Sequence, residues 1–454
     1  MTPTPKIAYF SMEIAVDPAI PTYSGGLGVL AGDTVRAAAD AGLPMVAVTL
    51  ICREGHFFQK LDAQGRQTEE PVVWSLDDHL ERLEPTVEVE LEGRAVGMQA
   101  WRYEVVGQSG DVVSVLLLDT DLATNDGRDR TLTHWLYGGE ERYRLKQEVV
   151  LGIGGVRMLR ALGYDRMERY HMNEGHSALL TLELLDEQVA ARDGEQIAQE
   201  DVEAVRRKCV FTSHTPVPAG HDKFTPDLFR EVVGRSDIHE KSDVFCHEGY
   251  LNMTYVALNL SHYVNGVAKR HGLVSKHIFG EFAVDAITNG IHVPTWASPA
   301  FKQLFDRHIP DWRDDNFALR SALNIPTGEV RQAHREQKRS LIREINREEN
   351  TGMDVDIFTI GYARRMTAYK RPTLIFDDVE RLRRIADKFG GLQLVFSGKA
   401  HPKDEEGKEL IQDIFEAKKK VDGDVKIVFL PNYDMTVAAD ILSGVDLWLN
   451  TPKP

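Results

Sequence analysis

Between Asp356 and Asn450, four apolar, strand-like runs alternate with three helix-like runs. Asp356–Tyr362 reads as a strand and Thr373–Phe389 as a helix. Leu392–Ser397, Val425–Leu430 and Asp446–Asn450 read as further strands, with helices over Glu406–Val421 and Thr436–Ser443 between them. A chain that returns through a helix after each strand lays its strands down in parallel, and such crossovers are right-handed. This part of the protein is therefore predicted to be a doubly wound α/β sheet.

The first half follows the same logic less plainly. Ile7-Ala8-Tyr9-Phe10 predicts a strand, Gly32–Asp40 a helix after a glycine-rich turn, and Pro44–Leu50 a fully buried strand. Around residues 70–120 the pattern changes. Val87–Leu91 alternates with period two and Val112–Leu118 is apolar and β-branched, which predicts an inserted antiparallel sheet. Helices return over Glu141–Leu162 and Ser177–Ala191, and Arg313–Asn350 is charge-rich with helical spacing. The expected organisation is an N-terminal α/β domain over 1–295, a helical connection over 296–350 and a Rossmann-like domain over 351–454. A cleft between the two sheets is the expected ligand site.

The 454 residues, 42% hydrophobic and 27% charged, suffice for a large core and for roughly two or three domains of about 100–200 residues each. Acidic residues outnumber basic ones 70 to 54, for a net charge of −16. That argues against a nucleic-acid partner, which calls for a basic face, but not against a local cationic pocket. Cys52, Cys209 and Cys246 are far apart and odd in number. Neither a disulfide framework nor a CxxC zinc site is indicated, and reduced thiols in a cytoplasmic setting are expected. No signal-peptide pattern opens the chain and no apolar run is long enough to span a bilayer, so no membrane partner is expected.

Against this acidic background Gly361–Pro372 stands out. Arg364, Arg365, Lys370 and Arg371 fall within eight residues, with no acid among them, just after an apolar strand. Arg offers bidentate donors and Lys a point charge, a pairing suited to phosphate. Phe396-Ser397-Gly398-Lys399 repeats the layout one βα unit later. Two cationic loops at adjacent strand ends converge on one crevice, which favours a phosphate site over a solvated face.

Four other stretches carry chemistry. Ser24-Gly25-Gly26-Leu27-Gly28-Val29-Leu30-Ala31-Gly32 opens a helix, where backbone N–H groups can meet an anion. Its G-x-G-x-x-A pattern, with Glu54 further on, also admits a dinucleotide. That is the weakest fit, because the loop Ser11–Tyr23 separates strand from glycines. A plain tight turn and a close approach to phosphate or sugar are the other readings. Tyr170–Ser177 and Val210–Pro218 each end a strand in polar residues, among them His171, Asn173, Glu174, His176 and His214. His171 and His176 lack the i, i+4 spacing of a zinc helix, so no metal is expected there or with His214 and His221. Ile287–Trp296 holds the turn signal Asn289-Gly290, read either as a packed interdomain turn or as part of a binding loop.

Taken together, Tyr9–Glu13, Ser24–Gly28, Arg144–Glu148, Asn173–His176, His214-Thr215, Thr288–Ile291, Arg365–Arg371 and Ser397–Lys399 resemble, in order, the motifs of the α-glucan phosphorylases, the glycogen, starch and maltodextrin phosphorylase family, in its short bacterial branch. The resemblance implies a glycosyltransferase-B-like α/β fold: two doubly wound Rossmann-like domains facing a cleft. It implies a glycosyltransferase that converts α-1,4-glucan and inorganic phosphate into α-glucose 1-phosphate and a shortened glucan. It further implies pyridoxal 5′-phosphate as the cofactor, with its phosphate rather than its ring assisting proton transfer.

By the same resemblance, Arg365 and Lys370 hold substrate and cofactor phosphates, with Lys399 and Gly25 beside them. Gly25, Gly26 and Leu27 supply backbone donors. His214 and Asn289 contact glucose hydroxyls, with His214 near the reacting carbon, and Glu174 and His176 lie on the acceptor side. Where the family's mammalian pattern reads Asn-Asp-Thr-His, this chain reads Asn173-Glu174-Gly175-His176.

A homodimer is a further family expectation. The family's cofactor lysine sits in a motif like E-A-S-G-T-x-x-M-K, beyond the strand that reads here Leu447–Pro452. Its absence predicts a C-terminally shortened member with an incomplete second domain and impaired activity. It also predicts an exposed sheet edge. With no extension before the first strand, phosphorylation control is not expected. Two other readings compete: a nucleotide-sugar glycosyltransferase of the glycogen-synthase type, and a catalytically silent glucan-binding fragment.

Overall fold

Met45–Leu50 is buried at every position, and on one side of it Ile7–Ser11 pairs in parallel register, Ile7 opposite Met45 and Phe10 opposite Val48. These two strands lie at the middle of a nine-stranded sheet in the computed structural model, which describes residues 4–451 apart from 215–220, 236, 240, 270–278, 281, 422 and 424. The chain forms two compact units, one of Met1–His56 with Val72–His292, the other of Phe57–Pro71 with Val293–Pro454. No helix among the described residues is long and apolar enough to cross a membrane.

In the first unit the strands run, edge to edge, Asp285–Ala286, Tyr263–Gly266, Cys209–Ser213, Arg169–Asn173, Ile7–Ser11, Met45–Leu50, Val112–Asp119, Arg94–Val106 and Glu81–Leu91. The first seven are parallel and the last two antiparallel. The antiparallel strands expected around 70–120 are therefore not a separate inserted sheet; they extend the main one. The burial pattern gives the reason. Val115 to Leu118 are buried on both faces, as a strand inside a parallel sheet requires, whereas Glu81–Leu91 alternates as an edge strand does. Ala8, Phe10, Val46 and Val48 pack into one core and Tyr9, Met45 and Ala47 into another, on opposite faces of the sheet.

Several helices differ from expectation: those over 373–389 and 177–191 begin later, at Val379 and Leu180, and two others show the physical cause. The first begins at Gly26 rather than Gly32, so the glycine run forms its opening turns. Tertiary contact overrides low propensity there: a Cβ on Gly28 would lie 2.5 Å from Tyr23 Cβ, and one on Gly32 would lie 2.1 Å from the Ala15 carbonyl oxygen. The helix expected over 141–162 is interrupted by a π turn at Val150–Gly154. Gly152 lies there against the Leu179-Leu180 backbone, where a Cβ would stand 2.5 Å from Leu180 N.

The second unit holds four parallel strands in the order Val425–Leu430, Leu392–Ser397, Thr359–Ala363, Leu447–Trp448. Helices Val379–Phe389, Glu405–Lys420 and Met435–Gly444 connect them, and Thr327–Glu349 packs on Met435–Gly444 through Leu341, Ile342 and Ile345 against Ile441 and Val445. Lys338, buried in that helix, pairs with Asp446 at 2.6 Å and donates to the Ile357 carbonyl.

Residues 57–71, counted with the first domain on sequence grounds, belong to this second unit. They form the hairpin Phe58–Leu61/Gln67–Glu70, whose turn is closed by Asp62 accepting from the backbone of Gln64 and Arg66. Two buried glutamines lock it in place. Gln59 bonds the Gly398 carbonyl and the Asn432 backbone, and Gln67 bonds both the amide and the carbonyl of Ala400.

Candidate functional site

Three neighbouring parallel strands of the first unit end in Ser11, Asn173 and Ser213, and ligands in such sheets bind beyond the carboxyl ends. Asn173 Nδ2 donates to Ser11 Oγ at 3.1 Å, which turns its Oδ1 toward His214 Nε2 at 2.6 Å. That amide orientation puts the proton of a neutral His214 on Nε2. Glu174 holds φ at +73°, strained for a residue with a side chain. Its carboxylate holds the strained turn together, Oε2 accepting from the His214 amide at 2.8 Å and Oε1 from the Gly175 amide at 3.2 Å.

Glu13 organises the glycine loop. Its buried Oε2 accepts from Ser24 N at 2.7 Å and Gly25 N at 3.3 Å, and Oε1 accepts from the Tyr137 hydroxyl at 2.7 Å. The Gly25 amide is thus engaged by the protein itself. Gly26 and Leu27, in the first turn of the helix, are the positions whose N–H groups a helix leaves without intrahelical partners.

Tyr137 also sits in the left-handed region, at φ +57°. Its ring lies under the Arg144 guanidinium, 4.6 Å from centroid to Cζ, and edge-on to His176. Arg144 donates to Asp222 at 3.0 Å and to Glu148 at 3.3 Å, and His176 Nε2 lies 3.4 Å from the same Asp222 oxygen. Burial and the Arg144 charge press the His176 pKa down to about 3, so its imidazole is neutral. Burial opposes ionisation of Asp222, but the Arg144 charge holds its carboxyl below the usual range. Tyr137, Arg144, His221, Asp222 and Phe224 line an open cavity of about 490 Å³.

In the second unit, Arg364 to Arg371 follow Thr359–Ala363, the strand from which the chain goes first to one side and later to the other. Ligands favour such a switch point. Arg364 bonds the Asn450 side chain, Arg371 donates to the Thr451 carbonyl at 2.9 Å, and Thr451 Oγ1 donates to the Lys370 and Arg371 carbonyls, closing the loop across the two strand ends. Arg365 is exposed and makes no hydrogen bond or ion pair with the described residues. Burial, then Arg364 and Arg365, lower the Lys370 pKa to about 8. Burial lowers that of Lys399 to about 8 as well, and its ammonium donates to the Phe57 carbonyl at 3.0 Å.

The structure thus brings Glu174, His176 and His214 together, and Arg365 and Lys370 together. Asn289 is exposed and held through its backbone, its amide donating to the Val267 carbonyl. His171 is set apart, bonded to Thr212 and kept neutral by burial, with a pKa of about 4. Glu54, the acid of the dinucleotide reading, pairs with His134. Thr215 to Pro218 and Pro452 lie outside the described residues. Sequence reasoning gave no role to Glu13, Tyr137, Gln59, Gln67 or Asp222. Arg144 and Glu148 stood at i, i+4 spacing in a quoted motif, and that spacing was the available signal.

Residues 235–449 match the family model for carbohydrate phosphorylase. The chain is 36% identical to a maltodextrin phosphorylase of Thermococcus litoralis and 36% identical to a glycogen phosphorylase of Mycobacterium tuberculosis. In both cases 98% of this chain aligns with 57% of the relative's length, so the chain spans little more than half of these proteins. It is 32% identical to a glycogen phosphorylase of Aquifex aeolicus, over 99% of this chain and 70% of that one. By this likeness along nearly its whole length, the chain belongs to the carbohydrate phosphorylase family.

Proposed function

We propose that the chain carries the substrate- and phosphate-binding residues of an α-1,4-glucan phosphorylase, on the two doubly wound units of a glycosyltransferase-B-like fold. The observation that carries this reading is the cation group at the switch point. Arg364, Arg365 and Lys370 crowd one strand end, where burial first and the two guanidinium charges second depress the Lys370 pKa, and a bound dianion would offset the cationic repulsion.

The same group fits the phosphate of pyridoxal 5′-phosphate. When bound, that cofactor supplies a phosphate able to carry a proton near neutral pH, its second pKa being about 6. Arg365 and Lys370 offset the charge of phosphate oxygens, and Arg365 stays charged throughout. Lys399, tied to the Phe57 carbonyl, keeps further ammonium donors for the same anion.

In the first unit, Gly26 and Leu27 offer N–H donors at the positive end of a helix. His214, oriented by Asn173, and Asn289 meet glucose hydroxyls. Glu174 holds His214 in place. Asp222 and Arg144 line the adjoining cavity, where they face an acceptor glucan, and His176 stands behind them against Asp222. Inorganic phosphate, glucose 1-phosphate and α-1,4-glucan are the proposed partners, and a homodimer the proposed assembly.

The test is phosphorolysis. Purified protein with pyridoxal phosphate and maltodextrin is expected to release glucose 1-phosphate only when phosphate is supplied. Turnover with ADP- or UDP-glucose instead would move the reading to a nucleotide-sugar glycosyltransferase. Maltodextrin binding without either reaction would leave a glucan-binding protein.

A further inference from the structure

Glu148, in the helix Glu141–Val149, is fully buried and has no role in the scheme above. Few charged and titratable groups among the described residues surround it, and Tyr137, whose ring lies against Arg144 and His176, is one of them. Arg144 lies one turn earlier on the same helix, Asp222 on the segment before Lys223–Phe224, and His176 on the turn Gly175–Ser177, with His214 behind it. Oε1 of Glu148 accepts from Arg144 Nε at 3.3 Å. Oε2 has no hydrogen-bond donor among the described residues, nor has His176 Nδ1 a partner.

One guanidinium therefore serves two carboxyl groups. Asp222 takes its better-placed Nη2, at 3.0 Å, and the His176 Nε2 besides. If both acids were ionised, the cluster would hold a surplus negative charge with the Oε2 lone pairs unmet, a costly arrangement out of water. One proton on Glu148 removes the surplus and turns Oε2 into a donor toward Asp222.

We propose that Glu148 is an uncharged carboxylic acid in the folded protein and a positioning residue: it leaves Asp222 as the single anion and fixes Arg144 at the cavity wall. The electrostatics agree with the geometry, since burial first and the Asp222 charge second push the Glu148 pKa well above its ordinary range. The positioning role rests on the glucan reading of that cavity; the protonation state does not.

The decisive measurement is infrared difference spectroscopy of the full chain, wild type against Glu148→Gln. A carbonyl stretch of a protonated acid is expected at neutral pH in the wild type and absent from the variant. Finding no such band would overturn the proposal, and if the variant does not fold, loss of the wild-type band on raising the pH decides instead.

The positioning role is read from maltoheptaose affinity across about pH 6 to about pH 9. Wild type is expected to weaken on the alkaline side, by up to about tenfold per pH unit once Glu148 ionises, and Glu148→Gln to show no such limb. Equal alkaline weakening in both would overturn that role. Absence of maltoheptaose binding at every pH would overturn the glucan reading while leaving the infrared result to stand.

Discussion

The Tyr137 hydroxyl and the Glu13 carboxylate, 124 residues apart in the chain, meet at 2.7 Å. Through the other Glu13 oxygen that bond reaches the Ser24 and Gly25 amides. Tyr137→Phe should leave Glu13 Oε1 buried without its donor, costing about 1–3 kcal/mol. Amide hydrogen exchange at Ser24 and Gly25 is expected to quicken while distant strands stay protected. Unchanged exchange there would show that the two residues are not coupled.

Gly32 and Gly26 make a contrasting pair. A methyl at Gly32 would collide with the Ala15 carbonyl oxygen, whereas nothing lies within 4 Å of one at Gly26. Gly32→Ala should lower stability by about 1–3 kcal/mol or more. Gly26→Ala should leave it unchanged or raise it by roughly 0.5–1 kcal/mol, as alanine favours helix. Urea unfolding of both variants measures the difference.

Lys370 should reveal itself in the pH dependence of stability. Its pKa falls from an ordinary 10.5 to about 8 on folding, so the folded protein favours the neutral amine. The stabilisation is present above about 10.5 and is lost as the pH falls through about 8. Lys370→Met is expected to melt higher than wild type at neutral pH, with the gap closing toward pH 10.5. Saturating phosphate should narrow the neutral-pH gap by stabilising the wild type, and a gap indifferent to phosphate would count against a phosphate role.

Gln67 tests the hairpin of residues 57–71 within the second unit. Gln67→Ala strips partners from both the amide and the carbonyl of Ala400. A buried unsatisfied backbone group costs about 1–3 kcal/mol. Thermal unfolding should register that loss. Phosphate affinity should fall with it, because Ala400 adjoins Lys399.

The strand-helix alternation after residue 351 was legible because each element buries its own apolar face, and burial writes a local period. Leu392–Ser397 and Val425–Leu430 lie where that period predicts. The cation cluster was legible for a related reason: charge in an acidic chain is a composition signal. The strands near 70–120 were read as strands, yet their membership of the main sheet was not. Pairing of Val112–Asp119 with Met45–Leu50 joins residues far apart in sequence and leaves no local trace.

The candidate site divides in the same way. Sequence by itself determined which residue types were on offer: histidines and acids at strand ends, glycines at a helix start, and arginine with lysine after a central strand. Only the tertiary structure decided which of them meet. It placed Asp222 between Arg144 and His176, assigned the Gly25 amide to Glu13, and joined residues 57–71 to the loop of Lys399. Hydrogen bonds and desolvation act over a few ångströms of space, whatever the separation along the chain, so the contacts that set charge and orientation are properties of the fold.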